Sequence, residues 1–125
     1  MKKPTMTDAY STFVNMFMAL DALWDECHDD TLAGYLSEAN PFLFKGKGSA
    51  DPAIWAEFSA AFAQRFKDGE ASIEDAHDFV TEYLEGISDE YSKVYPGNKR
   101  LVDAFLEIAP VERWAEVFEP QSVEE

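Results

Sequence analysis

Apolar residues recur at helical spacing along almost the whole chain. Tyr10, Phe13, Val14, Phe17, Leu20 and Trp24 fall on one helical stripe, which predicts a first helix. Thr7 is its expected N-cap, with Asp8 in the first turn, and it runs to about Cys27 or His28. Asp29-Asp30-Thr31 offers the cap of a short second helix carrying Leu32, Tyr35, Leu36 and Ala39. Pro41 ends it near Asn40, because a proline disfavours the α region for the residue before it. A loop spans Asn40 to Asp51. Asp51-Pro52 then restarts the helical pattern, with Asp as N-cap and Pro at the first helical position. This third helix carries Ile54, Trp55, Phe58, Phe62 and Phe66, and Gly69 is expected to stop it.

Ser72-Ile73-Glu74-Asp75 reads as a capping box with Asp in place of the usual Glu. The fourth helix carries Ile73, Ala76, Val80, Tyr83, Leu84 and Ile87. It either ends at Gly86, with Ser88 capping a further turn through Tyr91, Val94 and Tyr95, or runs on as one helix. Pro96-Gly97 marks a turn. Asn98 caps a fifth helix with Leu101, Val102, Phe105 and Leu106 inward, and Pro110 opens a last one with Val111, Trp114 and Phe118. No stretch alternates with period two, so few or no strands are expected. The expected fold is all-α: one compact domain over 1–125, an irregular bundle of five to six short helices, with 1–6 and 119–125 frayed.

Composition supports a packed core. The 125 residues are 46 % hydrophobic and include ten Phe and three Trp. A chain of this length buries roughly two-thirds of its unfolded surface and folds without staples. A lone cysteine, Cys27, excludes an internal disulfide and suits a reducing compartment, so a cytoplasmic location is expected. Lys2 and Lys3 lead into no signal-peptide core, and the longest apolar run, Met16 to Leu20, ends at Asp21; it is far too short to span a bilayer.

Charge changes the picture most. Twenty-five acids face ten bases, a formal charge of −15. Phosphate binding needs Lys and Arg to displace counterions, so nucleic acid is excluded as a partner, and anionic membrane surfaces repel the chain. A cationic protein surface is the partner this charge attracts. The acids are also segregated. Pro4 to Phe44 holds seven acids and no base, and Asp68 to Ser92 holds nine acids and no base. On a wheel of 100° per residue from Ile73, the apolar residues of the fourth helix lie between about 240° and 20°. Glu74, Asp75, Asp78, Glu82, Glu85 and Asp89 lie between about 100° and 200°. They form an acidic ridge opposite the buried face. Its like-charge neighbours cost about 1–2 kcal/mol at low salt, which a stability of about 5–15 kcal/mol absorbs. As a binding face, its contacts would be Glu74, Asp78, Glu82, Glu85 and Asp89, with Tyr83 or Tyr91 as an aromatic anchor. The plain alternative is a solvated face of an acidic protein.

Other chemistry is sparser. Asp21, Asp25 and His28 fall within about 60° on the first helix and could hold a zinc ion with an open position. Asp21 falls on the apolar stripe, where the structural reading is an Asp at the stripe's edge, hydrogen-bonded to a helix end or an indole N–H. Asp25-x-x-His28 and Glu74-x-x-His77 share the spacing of di-iron bundles, but Glu74 and His77 point apart, on the ridge and at the apolar margin. Cys27 and His28 project about 100° apart, and Cys27 reads as a buried structural thiol. Lys45-Gly46-Lys47-Gly48-Ser49 lacks the Walker spacing and reads as a connector pinned by Phe42 and Phe44, or as a contact loop. No cofactor is expected.

In size, charge and helicity the chain resembles the small, acidic, all-helical bacterial inhibitors and immunity proteins that neutralise basic nuclease toxins. The resemblance implies a non-enzymatic interaction module for a basic protein. A metal-binding enzyme or sensor built on Asp21, Asp25 and His28 is the alternative. Oligomeric state stays open, since an acidic patch can also meet a second subunit's Lys93, Lys99 and Arg100.

Overall fold

The computed structural model describes residues 6–27, 36–37, 39, 51–87 and 101–119. Among them the architecture is all-α, with one two-stranded ladder. Strand β1 (Met6–Thr7) pairs antiparallel with β2 (Ala71–Ser72), Met6 opposite Ser72 and Thr7 opposite Ala71. Helix α1 (Ala9–Cys27) follows β1 directly, and α3 (Ile73–Ile87) follows β2. Between them lies α2 (Pro52–Arg65); α4 (Leu101–Ile108) and α5 (Val111–Val117) complete the bundle. No helix of the described residues is long and apolar enough to cross a membrane. Leu36, Ser37 and Ala39 are helical, with Leu36 and Ala39 buried.

The caps explain the boundaries. Asp8, not Thr7, caps α1: its carboxylate accepts the Ser11 amide at 2.8 Å. Thr7 is taken up by the ladder one residue earlier. Asp51 caps α2, its carboxylate accepting from the Ala53 amide at 3.0 Å ahead of Pro52. Ser72 caps α3, its hydroxyl accepting the Asp75 amide at 3.0 Å. Helix α2 stops at Arg65, four residues before the expected Gly69. Phe66 adopts an extended backbone and packs its ring 4.8 Å from that of Phe62 and 6.0 Å from that of Phe79. Gly69 serves the turn that follows, at φ +79°, a conformation open to glycine at little cost; its amide donates to the Phe66 carbonyl.

Helix α1 is the central element. Every residue from Tyr10 to Phe17 is buried, because α1 packs against both α2 and α4 and also meets α3. The polar members of that stretch are bonded internally. The Thr12 hydroxyl donates to the Asp8 carbonyl, and the Asn15 amide donates to the Ser11 carbonyl. Satisfied in this way, buried polar groups avoid a large desolvation cost.

Two aromatic clusters share α3 as a wall. On one side Phe13, Phe58, Phe62 and Phe79 meet at ring distances of 5.0 to 5.3 Å. On the other, His77, Phe105, Trp114 and Phe118 are in contact. Leu106, expected inward, is 36 % exposed. Val102 and Phe105 occupy the inner face of the short α4, and the next residue turns about 100° away from it.

Candidate functional site

Helix α3 begins where β2 hands the chain to the Ser72 cap. Ile73, Ala76, Phe79, Val80 and Leu84 are buried, and His77 and Phe79 commit two flanks of the helix to the two aromatic clusters. One side remains open. Glu74, Asp75, Asp78, Glu82 and Glu85 are all exposed along it, a carboxylate edge about 17 Å long from the rise of the helix. Asp89 and Tyr91 lie outside the described residues.

The ridge meets a cation from its own chain. Arg65, in the last turn of α2, forms an ion pair with Glu82 while its guanidinium lies 5.6 Å over the Phe66 ring. The Glu82 side chain remains 66 % exposed, so water screens the pair and its contribution to stability is small. Beside it, Ala61, Gln64, Arg65, Phe79, Glu82 and Tyr83 line an open hollow of about 390 Å³. Tyr83 is half-buried there, with its ring 5.0 Å from that of Phe58. The edge therefore offers carboxylates together with an aromatic wall. Nothing in the sequence around Arg65 announced its pairing; the turn through Gly69, which folds the end of α2 back beside α3, creates it.

His77 is the residue whose place differs most from its expected margin. It is 5 % exposed, with Nε2 donating to the Ala109 carbonyl at 2.8 Å. A carbonyl only accepts, so the ring carries its hydrogen on Nε2. Trp114 answers from α5, its indole donating to the Ile73 carbonyl at 3.0 Å. The two side chains cross-tie α3 to the α4–α5 junction. His77 is thus an internal strut, and Glu74, exposed on the ridge, does not join it in a metal site.

Asp21 and Asp25 are exposed on α1, so Asp21 is at the edge of its stripe rather than within the core. His28 and the side chain of Cys27 lie outside the described residues, as does the 40–50 segment with its lysines. Among the described residues no group of three or more His, Cys, Asp or Glu side chains could hold a metal ion. No protein-family model, curated protein or solved structure matches the chain.

Proposed function

We propose that the protein is a non-enzymatic interaction module that docks a basic protein through the acidic edge of α3. The observation that carries this reading is the exposure of Glu74, Asp78, Glu82 and Glu85 on one face of a helix whose opposite face is committed to core. Their summed field steers a cationic partner toward the edge, giving fast, salt-sensitive association. Asp89 extends the same row by sequence position. Arg65 beside Glu82 illustrates the contact in miniature, a guanidinium on a ridge carboxylate with an aromatic ring beneath it. Tyr83, at the margin of the hollow, is the aromatic anchor, a residue type enriched where binding energy concentrates. The biological setting that suits this chemistry is inhibition of a basic protein, in the manner of an immunity protein, in the reducing cytoplasm. The charge suits neither nucleic acid nor an anionic membrane.

The test is a triple reversal of Asp78, Glu82 and Glu85 to Lys. Wild type and variant are immobilised and exposed to native-host extract at low and high salt. A basic protein retained by wild type at low salt, released at high salt and absent from a variant of unchanged helicity supports the reading. Equal affinity of that protein for both chains removes it.

A further inference from the structure

A second surface lies apart from the acidic edge. Between α1 and the α4–α5 region runs a groove of about 460 Å³, inside the range of about 300–1,000 Å³ typical of small-molecule sites. Met18, Ala19 and Ala22 line it from α1, at the three- and four-residue spacing of a single helix face. Ile108 and Val117 line the opposite side, over a floor that includes Ala109 and Trp114. The alanines leave the space that larger side chains would fill. Ala22 is exposed and Val117 is 46 % exposed, so apolar surface on both sides of the groove is open to a ligand.

The groove also has a charge at its rim. Arg113 belongs to the lining, and its side chain is 61 % exposed. Its contact with Glu116, one turn along α5, is 3.8 Å long and open to water. A ligand carboxylate making two short, parallel hydrogen bonds to the guanidinium displaces so loose a pair readily. Glu119 also lines the groove and repels anionic groups, so a ligand's negative charge is offset only where it sits directly on the Arg113 guanidinium, which leaves room for one carboxylate and no more. Apolar walls with one cation at the rim are complementary to one kind of small molecule.

We propose that this groove binds a small amphiphilic monocarboxylate, its apolar body between Met18, Ala22 and Val117 and its carboxylate on Arg113. The proposal is independent of the docking role of α3. It is tested on the full chain with octanoate below its micelle concentration, followed by methyl NMR and calorimetry. Saturable binding with shifts confined to Met18, Ala19, Ala22, Ile108 and Val117 is expected. Arg113→Gln weakens it about tenfold, the loss of one charge-assisted contact. Ala22→Trp fills the groove from an exposed position and abolishes binding without unfolding the chain. Octan-1-ol, equally apolar but uncharged, binds about tenfold more weakly than octanoate. Absence of saturation, an unchanged affinity in Arg113→Gln, or equal binding of the alcohol overturns the proposal. So does concentration-dependent self-association that Ala22→Trp abolishes while octanoate shifts nothing, which assigns the groove to a second copy of the chain.

Discussion

The Asn15 side chain holds the backbone of Glu119 by both of its polar atoms. Nδ2 donates to the Glu119 carbonyl at 2.7 Å, and Oδ1 accepts the Glu119 amide at 3.0 Å. A side-chain amide thus does what a neighbouring strand would do, and it ties the end of α5 to the middle of α1. Asn15 is 5 % exposed, so water cannot replace these bonds at little cost. Asn15→Leu should lower unfolding stability by about 1–3 kcal/mol, the penalty of stranding buried polar groups. Urea denaturation reads the loss. Amide exchange at Glu119 should accelerate more than at Phe62, which lies in the core away from this contact.

The cross-ties between α3 and α5 predict a coupled pair. His77→Leu leaves the Ala109 carbonyl without its donor, and Trp114→Phe removes the indole donor from the Ile73 carbonyl, which keeps only its helical bond, and leaves a void where the larger ring packed. Each should cost about 1–3 kcal/mol. The rings are 5.7 Å apart, so the two losses are not independent. The double variant should deviate from additivity by about 0.5–3 kcal/mol. Additive losses in a denaturation cycle show instead that the two struts act separately.

These contacts also mark where the sequence is readable. Caps are local chemistry, so Asp51-Pro52 and the Ser72–Asp75 pair declare their helices directly, as do Phe58 and Phe62 through their spacing. The acidic ridge is equally legible, because all its members share one helix. Asn15 is different: its partner is 104 residues away, and a stripe of apolar residues predicts one buried face where α1 buries every residue from 10 to 17. Thr7 looks like the better cap until Ala71 claims its backbone. His77 sits about 20° from Leu84 on the wheel, a separation too small to place it inside or outside before α4 and α5 are known to cover that flank.

Two glycines should respond to alanine with opposite signs. Gly69 has φ +79° with nothing within 4 Å of where a Cβ would stand. Crowding is therefore no obstacle, and the cost of Gly69→Ala is purely conformational, about 1–2 kcal/mol for a left-handed backbone. Gly86 is helical, near the end of α3, with the same open space around it. Gly86→Ala should stabilise by about 0.5–1 kcal/mol through a smaller entropy loss on folding. Melting temperatures of the two variants should move in opposite directions; a shared direction contradicts the backbone assignment at one of them.

The ridge itself should limit stability. Asp78 stands three residues after Asp75, four after Glu74 and four before Glu82, all exposed. At these spacings like charges repel and opposite charges attract, by about 0.2–0.5 kcal/mol per pair. Asp78→Lys converts three repulsions into three attractions, so it should raise stability by about 1 kcal/mol or somewhat more at low salt. Near 1 M salt, where screening acts over about 3 Å, most of that gain should vanish. Denaturation at the two ionic strengths measures it. The same substitution should weaken capture of a basic partner, since it places a cation at the centre of the proposed contact. A variant more stable than wild type yet poorer at binding separates the two roles of the acids: they oppose folding and serve recognition. Stability that ignores salt shows that the carboxylates are too far apart in solution to repel, and leaves the edge without the field on which docking depends.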